Sequence, residues 1–192
     1  MTYTSDDEVP EEIRDPEQIA KRALALFAVV RLAMGAPRDQ TLAWLREHAL
    51  WDALSPAELD FISTATPTRQ QVINASWRAE ALLVLIWALR LVETMPALNE
   101  PYDTNDLKGL LPPYTSQNVG EFVATAVRLP DDALLEYADD VLNSHWEARD
   151  ASIRGKPVPE NLHIGIIQER HHAINWVTGY GNLPWDEVTT DT

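Results

Sequence analysis

The spacing of apolar residues along this chain predicts α-helices. Between residues 16 and 34 apolar side chains recur every three or four positions, and the pattern stops at Gly35, a residue type that often ends helices. Shorter segments with the same period begin at residues that cap helix N-termini, Asp39 and Ser55. No segment alternates between apolar and polar residues over the length of a strand. The pattern therefore predicts an all-α fold.

One predicted helix, at about residues 70–92, is apolar around almost its whole circumference. A helix of this kind lies inside a domain and is surrounded by other helices. We therefore predict a single multi-helix domain, residues 15–192, that packs around this central helix. A proline-containing connection at residues 95–115 follows it. The helices predicted after the connection span about residues 116–128, 131–154 and 161–178.

Charge limits the kinds of partner that the protein can have. The formal net charge of the 192 residues is −15, and residues 1–14 are predicted to form a flexible acidic arm. A field of this sign repels phosphate backbones and anionic lipid, so we expect neither general nucleic-acid binding nor membrane association. The same charge would suit a basic protein partner, for example a nuclease toxin whose surface the protein masks.

Composition adds an expectation about the compartment. The chain has no cysteine, which excludes disulfides and thiolate metal sites. The N-terminus has no basic segment followed by an apolar run, as a signal peptide would. The longest uninterrupted apolar stretch, residues 81–89, is far shorter than the roughly 20 residues of a membrane span. We therefore predict a soluble cytoplasmic protein.

Three of the predicted helices carry charged or imidazole side chains at positions where the helical pattern predicts buried apolar residues. On helical wheels His145 lies at the centre of an apolar face, with Arg149 one turn further along it. Arg170 lies within the apolar stripe of the last helix, between Glu169 and His171. A buried ionised group costs several kcal/mol unless it is paired, so these groups must pair or bind a ligand. The candidate residues are Arg78, Glu80, His145, Arg149, Glu169, Arg170 and His171.

The simplest arrangement joins these candidates in one buried cluster. Its three guanidinium groups face two carboxylates, those of Glu80 and Glu169, so a cluster that gains no further acid is cationic and suits a small anionic ligand. If Asp140, Asp186, Asp191 or the terminal carboxylate joins it, the cluster is neutralised. Our first hypothesis is a non-catalytic domain in which the cluster fixes helix packing and borders, at most, a small-anion pocket.

Two other functions agree with the same residues. An enzyme would use His145 or His171 as acid or base together with Glu80 or Glu169, although the chain has no nucleophile elbow and no glycine-rich phosphate loop. An acidic interaction protein would bind a basic partner instead. The spacing Glu169-x-x-His172 occurs in carboxylate-bridged metal sites, but a second such motif is missing, so we predict no metal and no cofactor.

Several of these segments together resemble a known family. The segments 76–81 (SWRAEA), 145–151 (HWEARDA) and 169–176 (ERHHAINW) are similar to those of an uncharacterised bacterial family, domain of unknown function 4272. The resemblance extends over about residues 15–192. It implies a mostly helical domain and brings no established activity, so no catalytic role is transferred. Where the family usually has a Tyr-Arg pair, this chain has Tyr137 followed by Ala138.

Overall fold

The computed structural model describes residues 11–107 and 109–192. These residues form seven α-helices and no β-strand, which confirms the predicted all-α class. Residues 1–10, most of the predicted acidic arm, lie outside the described part. The α-helices are α1 (Pro16–Ala33), α2 (Arg38–Glu47), α3 (Pro56–Ser63), α4 (Arg69–Ala88), α5 (Val119–Ala124), α6 (Asp131–Ile153) and α7 (Ile164–Thr178). Short 3-10 turns occur at Trp51–Ala53, Thr104–Leu107, Tyr180–Asn182 and Trp185–Glu187.

Capping boxes set the start of three helices. At α1 the Asp15 carboxylate accepts a hydrogen bond from the Gln18 backbone N–H at 2.8 Å, and the Gln18 side chain accepts one from the Asp15 N–H at 3.2 Å. The same reciprocal bonds occur at the start of α3 and of α4. Each box satisfies backbone donors that have no partner within the helix. The polar residues before the apolar runs therefore fix where these helices begin.

The longest helices pack in the order α1, α4, α7 and α6, with α4 in contact with both α1 and α7. Six consecutive α4 residues, 81–86, are fully buried. A smaller apolar cluster lies between α6 and α7 and contains Val141, Ala148 and Ile167. Among the described residues, no helix combines the length and the apolarity needed to cross a bilayer.

The helices predicted over residues 70–92 and 116–128 end before their predicted limits. The helix predicted over residues 70–92 is α4, and it ends early because Arg90 has a left-handed backbone, with φ 62°. A residue in this region cannot continue a right-handed helix. The helix predicted over residues 116–128 is limited to α5, whose first turn is fixed by the Asn118 side chain accepting from the Glu121 N–H at 2.9 Å.

The chain segment before α1 lies against the end of α7. The Arg14 backbone N–H donates to the Val177 carbonyl at 2.9 Å, and its guanidinium Nη2 donates to the Leu183 carbonyl at 3.1 Å. Gly179 ends α7 with φ 76°, and a Cβ added there would lie 2.1 Å from the Glu12 carbonyl oxygen. The absence of a side chain at Gly179 is therefore what allows residues 11–14 to approach.

Substituting Gly179 by alanine should detach residues 11–14 from α7. We expect the left-handed backbone to cost about 1–2 kcal/mol of unfolding free energy, and the clash with Glu12 to add to it. Urea unfolding measures the loss, and amide hydrogen exchange at Arg14 reports the detachment. Gly155→Ala is the matched control, because Gly155 also has a positive φ of 65° but no atom within 4 Å of an added Cβ. Equal losses in the two variants would show that the contact with residues 11–14 contributes nothing.

Candidate functional site

Arg170 and Glu80 form an ion pair in the interior of the domain. The Arg170 Nε donates to Glu80 Oε2 at 2.9 Å, and Nη2 lies 2.9 Å from the same oxygen. Nη1 donates to the carbonyls of Pro96 and Ala97 at 2.7 and 3.3 Å, and Nη2 donates to the carbonyl of Glu100 at 3.1 Å. Four of these contacts are hydrogen bonds from the guanidinium, and the Nη2–Oε2 contact is part of the ion pair. Arg170 is fully buried, so its donors do not reach a ligand in solvent.

The second Glu80 oxygen holds the same connecting segment. Glu80 Oε1 accepts a hydrogen bond from the Tyr102 backbone N–H at 2.7 Å. Burial, followed by the charges of Asp106 and Asp103, raises the pKa of Tyr102 to about 12. The ion pair therefore joins α4 and α7 to residues 96–102, the start of the irregular connection predicted from the prolines.

A second tyrosine lies next to this ion pair. Tyr137 of α6 packs against Trp87, with ring centroids 4.7 Å apart. Its hydroxyl is buried near the Arg170 guanidinium without a hydrogen bond of acceptable geometry. Burial raises the pKa of Tyr137, so the phenol stays neutral, although the neighbouring Arg170 charge acts in the opposite direction. Tyr137 thus lies beside an arginine supplied by α7.

Arg78 and Glu169 form a separate ion pair nearer the surface. Arg78 Nη1 donates to Glu169 Oε2 at 3.0 Å, and both side chains are partly exposed. Burial raises the pKa of Glu169, whereas the Arg78 charge lowers it. Arg78 also lines a cavity of about 280 Å³, together with Asp60 and Asp186. These carboxylates would oppose an anion that approached Arg78.

The two buried histidines bind each other. The Nδ1 atoms of His145 and His171 are 2.9 Å apart, and the rings are nearly perpendicular, at 87°. One Nδ1 must donate and the other accept, so two neutral rings satisfy the bond and two protonated rings do not. Burial lowers the pKa of His171 to about 4, with a contribution from the charge of His145. Burial, and then the charge of Arg149, lowers the pKa of His145.

The prediction that Arg149 belongs to a buried cluster is wrong. Its side chain is exposed, and its Nη1 donates to Thr192 Oγ1 at 3.3 Å. Although Arg149 lies one turn beyond His145, its long side chain reaches water and so avoids the desolvation of an unpaired charge. The single cluster is also wrong, because the remaining six candidates form three separate pairs. Backbone carbonyls, and not a further acid, complete the partners of Arg170.

A further buried ion pair was not predicted. Arg22 of α1 binds the Glu58 carboxylate through both of its terminal nitrogens, and its Nη1 also donates to the Ala53 carbonyl at 2.7 Å. Glu58 Oε2 accepts from the Ser55 N–H at 2.9 Å as part of the α3 capping box. The signal was present, since Arg22 interrupts an apolar stripe. It was missed because the capping box already explained Glu58.

Trp185 covers this pair from the C-terminal segment. The Arg22 guanidinium lies 4.1 Å from the centroid of the Trp185 ring, which in turn packs on the ring of His172 at 4.7 Å. Burial, then the charges of Arg78 and Arg22, lowers the pKa of His172 to about 4. Arg22 and Trp185 also line a cavity of about 540 Å³, whose polar residues include Lys21, Asp52 and Asp186.

Comparison with known proteins places the chain in a family. Neither the curated proteins nor the solved structures contain a match to it. In the part of the chain that the structure describes, no three histidine or carboxylate side chains are arranged to hold a metal ion. The family model described as domain of unknown function (DUF4272) matches residues 2–188. The chain belongs to the DUF4272 family.

Proposed function

We propose that this chain is a non-catalytic helical domain in which buried arginine, glutamate and histidine pairs fix the packing of the helices. The observation that carries this proposal is that Arg170 is fully buried and binds Glu80 and three backbone carbonyls. An arginine that binds a substrate keeps at least one donor directed into an accessible space. Arg170 instead lies away from solvent and donates to Glu80 and to three backbone carbonyls, which supports a role in helix packing.

The enzyme hypothesis has less support from the same geometry. A general base must lie within hydrogen-bond reach of the proton that it removes. Glu80 and Glu169 are each bound to an arginine, and His145 and His171 are bound to each other within the core. Neither histidine has a hydrogen bond to either glutamate among the contacts of the described residues. The proposed acid and base groups therefore share no hydrogen-bond partner, and of the four only Glu169 is partly exposed.

A test with inorganic anions separates packing from ligand binding. We expect sulfate and phosphate to raise the melting temperature of the wild type and of Arg78→Gln equally, at an ionic strength matched with chloride, because excluded salts strengthen burial in any folded protein. Differential scanning calorimetry measures both shifts. An additional shift in the wild type that Arg78→Gln lacks would reveal an anion site and would contradict a purely structural role for these pairs.

Location and partners belong to the same proposal. We propose a cytoplasmic protein that binds neither nucleic acid nor membrane, supported by the net charge of −15. The acidic charge also supports a basic protein partner as a second candidate function. The specific observation that favours this candidate is the distribution of carboxylates on α6, which lie on its exposed side.

A further inference from the structure

Helix α6 has a second row of apolar residues that faces solvent. Leu135, Leu142, Trp146 and Ile153 are 48, 40, 56 and 78% exposed. They are seven, four and seven residues apart, and they lie within about 20° of one line along the helix. We call these four residues the outer stripe. The buried face of α6 is made by other residues, among them Leu134, Val141, His145 and Ala148.

The outer stripe has the spacing of a helix–helix seam. A step of four residues separates a d position from the next a position of a coiled coil, and a step of seven separates equivalent positions, where apolar side chains pack against a second helix. The stripe extends over about 27 Å, at 1.5 Å per residue. Single exposed apolar residues are ordinary on protein surfaces, whereas apolar residues aligned along one side of a helix are typical of an interaction surface. The geometry therefore favours a helical occupant.

Carboxylates lie along one side of the outer stripe. Glu136, Asp139, Asp140 and Glu147 are all exposed. Within the described part of the chain, none of these four side chains forms an ion pair. The single basic residue within α6 is Arg149. An occupant with lysine or arginine beside its own apolar row would complement this edge.

We propose that the outer stripe of α6 docks an amphipathic helix of a partner protein that has basic residues along one edge. A second copy of this chain fits less well, because it would bring a second set of the same carboxylates to the seam. Charge of opposite sign on the partner both speeds encounter and selects the orientation of the docked helix. The proposal rests on the second candidate function, and it is independent of the packing role of the buried pairs.

Two synthetic peptides test the proposal on the full chain. Each is a helix of about 21 residues with leucine at a and d positions, and one edge carries lysine in the first peptide and glutamate in the second. We expect fluorescence anisotropy of the labelled peptides to show at least tenfold tighter binding of the lysine peptide. This preference should shrink when NaCl is raised from about 50 to 300 mM, because salt screens exposed charges.

Variants locate the binding surface. Trp146→Ser should weaken binding of the lysine peptide at least tenfold, whereas Met34→Ser should leave it unchanged. Met34 is a matched control because it is 61% exposed and lies at the end of α1. Asp139→Lys should reduce the preference for the lysine peptide over the glutamate peptide. All three side chains are exposed, so circular dichroism should show the same fold in each variant.

Three results would overturn the proposal. The first is the absence of binding of either peptide, or equal binding of both. The second is binding that Trp146→Ser and Met34→Ser affect alike, since the peptide would then occupy another surface. The third is a dimer of the protein alone, seen by sedimentation equilibrium and dissolved by Trp146→Ser, because the occupant would then be a second copy. None of these results would bear on the structural role of Arg170, which is measured by unfolding.

Discussion

Arg170→Met is expected to lower the free energy of unfolding by about 3–5 kcal/mol, the usual loss when one member of a buried ion pair is removed. The substitution leaves the Glu80 carboxylate without its cation and leaves three carbonyls, at residues 96, 97 and 100, without a donor. A buried acceptor that loses its partner keeps its full desolvation penalty. Urea unfolding followed by circular dichroism measures the loss.

Two further variants test whether the loss of stability comes from the unpaired Glu80 charge in the interior. The double variant Arg170→Met, Glu80→Met should be more stable than Arg170→Met alone, because it removes the unpaired charge. Lys21→Met breaks the exposed pair of Lys21 with Glu17 and should change stability by at most about 1 kcal/mol. If Arg170→Met proved no more costly than Lys21→Met, the interior ion pair would have no structural importance.

Acidification is expected to destabilise the domain between pH 6.5 and about 4, before most carboxylates are protonated. The pKa of His171 is about 4 in the folded protein and near 6.5 when it is exposed. Between these values the unfolded chain binds the additional proton, so stability falls as pH falls, and it levels off below the folded pKa. The shift corresponds to about 3 kcal/mol for His171. His172 shifts in the same direction, whereas the raised pKa of Glu169 acts in the opposite direction.

Unfolding free energies at several pH values test this expectation. His171→Asn keeps a neutral hydrogen-bonding side chain opposite His145 and removes the titration, so its stability should depend less steeply on pH. His48→Asn, at the end of α2, controls for the loss of a histidine. The role given to the histidine pair would be refuted by His171→Asn having the same pH dependence as the wild type.

The starts of α1 and α3, and the burial of Arg170 and His145, were predictable because they depend on local sequence, whereas the predicted cap of α2 at Asp39 is wrong, since its N-cap is Pro37. Asp15 and Ser55 precede a proline and a residue that completes a capping box, and each begins a helix. The helical wheel correctly placed Arg170 and His145 on buried faces. By contrast, the early end of α4 depends on the left-handed backbone at Arg90, for which the side chain gives no clear signal.

The partners of the buried groups were not predictable, for two physical reasons. A wheel gives the direction of a side chain but not its length, so Arg149 was placed in the core although it extends to water. Counting only side-chain charges also omitted the peptide carbonyls, which supply three of the acceptors of Arg170. The Arg22–Glu58 pair was not predicted for another reason: one carboxylate can cap a helix and bind an arginine at the same time.

Because the Arg170 guanidinium binds three closely spaced peptide carbonyls, the length of the segment that carries them is constrained in evolution. The acceptors at Pro96, Ala97 and Glu100 converge on a single planar group, and Tyr102 follows with its N–H on Glu80. An inserted or deleted residue between positions 96 and 102 would move at least one of these groups out of reach. Relatives that retain both the arginine and the glutamate should therefore keep this stretch at constant length, and length changes should accumulate elsewhere.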